Sequence, residues 1–349
     1  MKKALKYFII LFVGALFMSA CEPSEYLKEG EFFHLSHKGA KMPVWVQGNF
    51  NSDVIIISNH GGPGDSGMEH HIAPGFQLLE EDYLIVYWDQ RYSGMTQGRY
   101  DLETQTPDQM IEDTEKLVEL IQQKYPGKKL FMIGHSWGGQ LSPGYLGRDN
   151  HADMFKGWID VDGSIYGDME SQLMKDYIME RLPEAMAKPD ADLEFWQVII
   201  DFYEENPLPG NYSAAEPYFY SAALGGDVYD IDKYYNEFEI PYVQLIFKSM
   251  FSMSFYIDAF SSTDNRFLWD ELNYTPELEN ITIPSLLLWG IDDGIVPVEV
   301  ADYVYEHLGT DPSQKHVVKI EECAHAPHIE QPEIFYQEVS SFVETYKNK

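Results

Sequence analysis

The sequence has few cysteines and few basic residues, and each shortage excludes a class of protein. Only Cys21 and Cys323 occur in 349 residues, so no disulfide framework holds the fold and its stability has to come from a buried core. Lysine and arginine number 24 against 57 aspartates and glutamates, a net charge of −33. Nucleic-acid binding depends largely on basic groups that neutralise phosphates, so we expect no nucleic-acid partner.

The first residues have the pattern of an export signal. A basic "MKK" precedes the 12-residue apolar run "YFIILFVGALFM", which is shorter than the roughly 20 residues of a membrane-spanning helix. The segment ends in "MSAC", which resembles the lipobox of bacterial lipoproteins, with Met18 in place of the usual leucine. The resemblance implies a signal peptide over 1–20, lipid on Cys21 and a polar tether over 21–30. Glu22 after the cysteine implies sorting to the outer membrane. An ordinary cleaved signal peptide is the alternative.

Short apolar runs alternate with amphipathic segments along most of the chain. We predict a helix in "TPDQMIEDTEKLVELIQQKYPG", with Thr106 as N-cap and Gln109 closing a capping box, and two more in "PVEVADYVYEHLG" and "PEIFYQEVSSFVETY". Strands that alternate with helices predict an α/β fold with a mostly parallel sheet. The predicted strands are "EFFHLSHKG", "MPVWVQG", "DVIIIS", "YLIVYW", "KLFMIG", "GWIDV", "PSLLLWG" and "HVVKIE".

One long segment interrupts this alternation. Residues 166–274 are helix-like, rich in tyrosine and phenylalanine, and interrupted by prolines, and the sheet resumes after them at "PSLLLWG". We therefore predict an α/β core over 31–165 and 275–349 with an inserted helical cap over 166–274. The cap is strongly acidic, with 21 aspartates and glutamates against 6 basic residues over 163–275.

The stretch "GHSWG" fits the pattern G-x-S-x-G directly after a predicted strand. A sharp turn there exposes the hydroxyl of Ser136, and Gly134 and Gly138 relieve the crowding that a Cβ atom would cause. A second glycine-rich loop, "HGGPG", follows the strand "DVIIIS". Its backbone, at Gly62, and the backbone of Trp137 are suited to donate N–H groups to an oxyanion.

A serine hydroxyl becomes a strong nucleophile only when a base takes its proton and an acid orients that base. Two loops that follow later strands offer these groups. Asp292 and Asp293 follow "PSLLLWG", and His325 and His328 follow "HVVKIE". The order serine, acid, histidine is that of the α/β hydrolases. A further alternative for the acid lies at the end of the preceding strand, at Asp160 or Asp162.

Four motifs in order, "HGGPG", "WDQRYSG", "GHSWGG" and "WGIDDGIVP" with "AHAPHIEQPE", resemble the prolyl iminopeptidase-like branch of the α/β-hydrolase fold. The resemblance covers roughly residues 30–165 and 275–347. In that family the acid stands three residues after a glycine and four before a proline, which implies Asp293. The histidine of the family precedes a "PHxExPE" stretch, which implies His325. With Ser136 these residues would form a catalytic triad.

One family motif is altered. The family's "DQRGxGxS" reads "DQRYSGMT" here, with Tyr92 and Thr96 in place of a glycine and a serine. Because this loop borders the pocket in the family, the resemblance implies that Tyr92 reshapes the pocket and contacts substrate. We expect Asp89 and Arg91 to form a structural ion pair.

The resemblance also implies a substrate. Family members that remove N-terminal proline hold the free amine with cap carboxylates, and here Glu204, Glu205, Glu237 and Glu239 sit among aromatic residues. The first hypothesis is therefore an aminopeptidase acting on short peptides. An ester or amide hydrolase of small molecules on the same triad is the second hypothesis, and an inactive surface binding protein is the third. We predict no cofactor and no metal, and the sequence does not indicate an oligomeric state.

Overall fold

The apolar runs form one sheet at the centre of the fold. The computed structural model describes residues 30–98, 101–207, 215–230 and 272–349. All eight predicted strands are present, and a further two-residue strand, β5, is exposed and carries no apolar signal. The strands in the described ranges are β1 (Glu31–His37), β2 (Ala40–Gly48), β3 (Val54–Asn59), β4 (Leu84–Trp88), β5 (Gln97–Gly98), β6 (Lys129–His135), β7 (Phe155–Val161), β8 (Ser285–Gly290) and β9 (Lys315–Ile320).

The sheet is mostly parallel, as predicted. Its strand order is β1-β2-β4-β3-β6-β7-β8-β9, and β5 pairs with β2. β2 and β4 are antiparallel, whereas each neighbouring pair from β4 to β9 is parallel. Because the carboxyl ends of parallel strands meet at one edge of a sheet, the loops after β3, β6, β8 and β9 come together there.

Helices pack on the sheet and bury its central strands. Every residue of β3, β4 and β8 is buried, which explains their continuous apolar runs. The described helices are α1 (Gly67–Ile72), α2 (Pro74–Asp82), α3 (Pro107–Lys124), α4 (Trp137–Leu146), α5 (Gly167–Ala187), α6 (Leu193–Glu205), α7 (Ala215–Ala223), α8 (Thr275–Leu278), α9 (Glu299–His307), α10 (Pro327–Glu330) and α11 (Pro332–Tyr346).

The start of α3 corrects one local prediction. Thr106 is the N-cap, and its hydroxyl accepts a hydrogen bond from the Gln109 N–H at 3.2 Å. The side chain of Gln109 does not close a capping box, because its amide donates instead to Asp113 at 3.2 Å. A buried carboxylate one turn further along the helix is therefore the partner of this side chain.

An insertion leaves the sheet after β7 and returns before β8. Its first and last described residues pair: the Gly167 N–H donates to Leu272 O at 3.1 Å and the Tyr274 N–H to Ile165 O at 3.0 Å. The described part of the insertion is helical, comprising α5, α6 and α7. These helices have a small core of their own, made of Tyr177, Ile178, Leu182, Ile199 and Tyr203. The division into core and cap at residues 166 and 274 stays a prediction.

Several predicted features lie outside the described residues. They are the signal peptide over 1–20, Cys21 with the tether as far as residue 29, and the cap glutamates Glu237 and Glu239. Among the helices that the structure does describe, none is both long and apolar enough to cross a bilayer. The described residues from Phe32 onward belong to one compact unit.

Candidate active site

Ser136 occupies a strained turn between β6 and α4. Its φ of 55° and ψ of −120° lie in a region that side-chain-bearing residues rarely adopt. The flanking glycines permit the turn: a Cβ on Gly134 would lie 2.3 Å from Gly138 O, and one on Gly138 would lie 2.0 Å from Asn59 O. Ser136 is 7% exposed. The sharp turn predicted from "GHSWG" is present.

The backbone of Ser136 is held by the end of β7. Its N–H donates to Val161 O at 3.1 Å, and its carbonyl oxygen accepts from the Ser164 N–H at 3.2 Å. The carbonyl also accepts from the Gln140 N–H of α4 at 3.2 Å. Because these bonds come from two different elements, they offset the unfavourable dihedral angles of the turn.

His325 and Asp293 lie side by side, and the backbone of His325 is hydrogen-bonded to the side chain of His135, the residue before Ser136. The Nδ1 of His325 donates to Asp293 Oδ2 at 2.8 Å. The other carboxylate oxygen of Asp293 accepts from the N–H groups of Ile295 at 2.7 Å and Val296 at 2.9 Å. Since Nδ1 carries the proton, Nε2 keeps its lone pair and is the nitrogen available as a base. Asp292, the alternative in the sequence, is 30% exposed and faces Arg181 at 3.6 Å.

The pKa of His325 reflects two opposing effects. Burial alone would lower the pKa of His325. The charge of the adjacent Asp293 carboxylate and its hydrogen bond oppose this effect, and the pKa is raised overall. The imidazole of His325 therefore takes up a proton at a higher pH than an ordinary histidine does.

His328 plays a different part from His325. It is buried among aromatic rings, with its ring centroid 4.7 Å from that of His135 and 5.6 Å from that of Phe76. Burial, reinforced by nearby His325, lowers the pKa of His328 to about 3. A neutral imidazole packed in this way acts as a core side chain.

The glycine-rich loop after β3 lies against the serine. A Cβ placed on Gly61 would be 3.4 Å from the Ser136 Cβ and 3.2 Å from His135 Nδ1. Gly62 follows with a φ of +114°. Gly62 and Trp137 are the residues whose backbone N–H groups are predicted to form an oxyanion hole. Gly62 lies in this glycine-rich loop, and Trp137 is the first residue of α4.

The "DQR" loop corrects the predicted Asp89–Arg91 ion pair. Arg91 instead makes a two-pronged contact with Asp113 of α3, with Nε–Oδ2 at 2.7 Å and Nη2–Oδ1 at 2.8 Å. Asp89 accepts hydrogen bonds from the Ser66 hydroxyl at 2.7 Å and the Gly67 N–H at 2.9 Å. Burial raises the pKa of Asp89 to about 7 despite these bonds. The predicted ion pair is wrong because the Arg91 side chain points toward α3, whereas the Asp89 side chain points toward the start of α1.

Tyr92 is buried, with only 1% exposed. Its hydroxyl donates to the carbonyl oxygen of Asp101 at 2.7 Å and accepts from the Asp101 N–H at 3.2 Å. These hydrogen bonds hold the backbone at Asp101, which precedes α3, against the Tyr92 side chain. Its contact with substrate stays a prediction.

Two of the four predicted cap glutamates are described. Glu204 and Glu205 stand at the end of α6, and both are exposed. This exposure differs from the aromatic enclosure expected for them, because Tyr203 is the aromatic residue of α6 buried in the small cap core, with Trp196 and Phe202 packed against it, while the two carboxylates face outward. Their part in substrate binding stays a prediction.

Two carboxylates that sequence reasoning missed border the site. Asp65 Oδ2 lies 3.6 Å from the Cβ position of Gly61, which also contacts Ser136. Asp227 O accepts from the His325 N–H at 3.2 Å, and its side chain accepts from the Tyr218 hydroxyl at 3.1 Å. Burial raises the pKa of Asp227, and the charge of Asp65 adds to this rise. Asp65 directly follows the motif "HGGPG", so the sequence could have indicated that it lies near the site. The stretch "GGDVYD" around Asp227 contains no such motif.

Two sets of side chains in the described ranges have donor atoms within 4.8 Å of one another, as a metal ion would require. One set is His70, His135 and His328, and the other is His135, Asp162 and His325. His135 belongs to both sets, and its Nε2 already donates to the carbonyl oxygen of His325 at 2.7 Å.

The fold and the strand-end loops define a class of protein. The sequence profile of the family described as alpha/beta hydrolase fold matches residues 54–332. The chain therefore belongs to the α/β-hydrolase fold family.

Known relatives agree with the branch of this family that the motifs indicate. The probable aminopeptidase YbaC of Bacillus subtilis is 24% identical over 326 residues, which cover 88% of this chain and 94% of the relative. A proline iminopeptidase of Saccharolobus solfataricus is 24% identical over 293 residues, covering 84% and 86%. The crystal structure of a proline iminopeptidase from Mycobacterium smegmatis shares the fold, with a TM-score of 0.65 and 14% identity over 91% of this chain and 99% of that one.

Proposed function

We propose that the protein is a serine hydrolase in which Ser136 is the nucleophile, His325 the general base and Asp293 the acid that orients the base. The observation that carries this proposal is the 2.8 Å hydrogen bond between His325 and Asp293, and the strained turn at Ser136 supports it. A strained backbone is kept where function requires it, and an orienting acid is what converts an imidazole into a base of fixed tautomer.

The reaction would proceed through an acyl-enzyme. His325 Nε2 takes the proton from the Ser136 hydroxyl as the oxygen attacks the carbonyl carbon of the substrate. The N–H groups of Gly62 and Trp137 stabilise the oxyanion that forms. The imidazolium then returns the proton to the departing amine or alcohol, and a water activated by the same base releases the acyl group.

We further propose that the substrate is a peptide with a free N-terminal amine, such as an N-terminal proline. Asp65 and Asp227 support this, because two carboxylates near the nucleophile would hold an ammonium group through charge-assisted hydrogen bonds. The overall charge of −33 would also draw cationic substrates toward the protein. The relatives named as an aminopeptidase and a proline iminopeptidase are consistent with this substrate class.

An ester or amide hydrolase on the same triad is the alternative. It is favoured by the exposure of Glu204 and Glu205, which leaves these two glutamates without an enclosed amine pocket. The inactive binding protein is disfavoured by the hydrogen-bonded pair of His325 and Asp293, since a scaffold without catalysis has no need to orient a base.

Turnover of proline 4-nitroanilide, its N-acetyl form and 4-nitrophenyl acetate by the purified protein would separate these functions. An aminopeptidase should cleave the free anilide and leave the acetylated one nearly untouched. Equal rates on the two anilides, or turnover of the ester alone, would favour the esterase. Ser136→Ala serves as the control for hydrolysis that does not depend on the site.

We also propose that the protein is exported and anchored to the bacterial cell envelope by lipid on Cys21. The support is the "MSAC" stretch at the end of a short apolar run behind a basic start. The remaining cysteine, Cys323, is buried.

A further inference from the structure

Three histidines from separate segments of the chain meet next to the proposed nucleophile. His70 lies in α1, His135 ends β6 and His328 lies in α10. The residue after His135 is Ser136. Each histidine offers one nitrogen, and these three nitrogens lie within 4.8 Å of one another. The positions of the three residues have no common spacing in the sequence, so no local pattern indicates the cluster.

The three imidazole rings form a nearly regular triangle. Their centroids are 5.7 Å apart for His70 and His135, 5.2 Å for His70 and His328, and 4.7 Å for His135 and His328. The ring planes are inclined to one another by 64°, 67° and 71° in the same order. Nitrogens at about 2 Å from one zinc ion, in tetrahedral directions, would place their ring centroids about 5 Å apart. The triangle therefore has the size that a shared ion requires.

Two of the histidines already make the outer hydrogen bond that is usual for metal ligands. The Nε2 of His135 donates to the carbonyl oxygen of His325 at 2.7 Å, so its Nδ1 keeps a lone pair. The Nδ1 of His70 lies 2.8 Å from the hydroxyl oxygen of Ser58 and, as the donor in this bond, leaves the lone pair on Nε2. Bonds of this kind fix the tautomer and the orientation of a ligating ring.

The third histidine contributes an unpaired nitrogen. His328 is 4% exposed, and its buried Nδ1 meets no hydrogen-bond partner among the described residues. A buried polar atom without a partner is unfavourable and uncommon in folded proteins. His328 packs as a neutral side chain among aromatic rings, and the neutral imidazole is the form that binds a metal ion. An ion in the cluster would give this nitrogen a partner.

The chemistry of the three donors indicates the kind of ion. A set made only of imidazoles suits zinc and neighbouring transition metals, whereas magnesium and calcium prefer oxygen ligands. Three protein ligands leave the fourth position of a tetrahedral zinc ion to water. The net charge of −33 also favours the uptake of a cation.

We propose that His70, His135 and His328 bind a zinc ion. The ion joins α1, the end of β6 and α10, and so stabilises the edge of the sheet at which Ser136 lies. The set that includes His325 is not the one we assign, because both nitrogens of His325 have roles in the proposed triad. If zinc binds here, the prediction of no metal from the sequence is wrong, because the ligands come from distant parts of the chain.

Zinc binding is measured on the purified full-length protein after a chelator has removed any metal. Calorimetric titration should show one site, and zinc at about a hundredfold above its Kd should raise Tm by about 5 °C. Cobalt(II) in the same site should give the intense visible absorption of a four-coordinate ion. The zinc X-ray absorption spectrum of the unaltered protein should show three imidazole ligands.

Two substitutions assign the ligands, and a third is the matched control. His328→Phe keeps an aromatic ring in the core and removes both nitrogens, and His70→Asn keeps a polar group near Nδ1 and removes Nε2. Each should weaken zinc binding about a hundredfold or more. His71→Asn alters the other buried histidine of α1, whose Nδ1 contacts Glu80 at 2.7 Å, and should bind zinc as the unaltered protein does.

Zinc affinity that is unchanged in His328→Phe and His70→Asn would overturn the proposal. Binding that is kept in His328→Phe but lost in His325→Ala would place the ion in the other set and would overturn it as well. If a variant does not fold, the unaltered protein decides, because the absence of a single site or a shell made mainly of oxygen ligands refutes the assignment. No readout uses turnover, so the result is independent of the proposed hydrolase function.

Discussion

The Nε2 of His135 donates a hydrogen bond to the carbonyl oxygen of His325 over 2.7 Å, between residues 190 positions apart in the chain. The residue before the proposed nucleophile therefore holds the backbone of the proposed base. This hydrogen bond joins the turn that carries Ser136 to the loop that carries His325, so the position of one segment depends on that of the other. The following predictions test what this geometry implies.

Ser136→Ala should abolish labelling by a fluorophosphonate probe and lower turnover by about a millionfold, because the members of a triad act as a unit. Mass spectrometry of the labelled protein locates the adduct. Ser313→Ala, which alters an exposed serine, is the control and should label fully. Full labelling of the Ser136→Ala protein would show that another residue is the nucleophile.

Asp293→Asn should lower kcat/KM by about two to four orders of magnitude, because His325 would lose its orienting acid. The Asp293 carboxylate is also the group that raises the pKa of His325 against burial. Activity requires the neutral imidazole, so removal of this charge should move the acid limb of the pH profile to lower pH. Asp292→Asn is the matched control, and a larger loss there than in Asp293→Asn would reverse the assignment.

His328 should make the fold sensitive to acid. Its pKa is lowered from 6.5 to about 3 in the folded protein, so between these values the unfolded chain binds the proton and stability falls as the pH falls. In His328→Phe, the loss in unfolding free energy between pH 6.5 and 5.5 should be smaller by about 1 kcal/mol. Urea unfolding at the two pH values measures this loss. An unchanged pH dependence in His328→Phe would contradict the prediction.

Recognition of the amine should depend on Asp65 and Asp227. Asp65→Asn or Asp227→Asn should cost about 2–4 kcal/mol in kcat/KM for proline 4-nitroanilide if the ammonium is desolvated against them. Hydrolysis of 4-nitrophenyl acetate, which has no amine, is the control reaction and should change much less.

Substitutions of the cap glutamates provide the comparison for those of Asp65 and Asp227. Glu204→Gln and Glu205→Gln should have small effects, because exposed ion pairs contribute little. Glu237→Gln and Glu239→Gln complete the set of carboxylates predicted from the sequence. If none of these substitutions discriminates between the anilide and the ester, amine recognition is not a property of this site.

Cys21→Ser should release the protein from the membrane fraction or block its processing, because a serine cannot take the thioether-linked lipid. Fractionation with detergent extraction, followed by mass spectrometry of the N-terminus, measures both outcomes. Cys323→Ala, which alters a buried cysteine, should leave membrane retention intact. A correctly processed Cys21→Ser protein that stays in the membrane would argue against a lipid anchor.

The sequence alone was enough to predict the fold and the sharp turn at Ser136. Strands buried on both faces need continuous apolar runs, so β3, β4 and β8 are visible without coordinates. The turn at Ser136 needs glycines at 134 and 138 because no Cβ fits there. Both signals are local: a run of neighbouring residues carries each of them.

Only the tertiary structure decided which distant groups meet. Arg91 contacts Asp113 rather than Asp89. The side chain of Gln109 also donates a hydrogen bond to Asp113 instead of capping its own helix. Asp227 lies beside His325 although it comes from the insertion, and Asp162 at the end of β7 accepts a hydrogen bond from the Gly290 N–H at the end of β8. The physical reason is that the backbone pattern of a segment depends on its own residues, whereas the partner of a buried polar group depends on how separate elements pack.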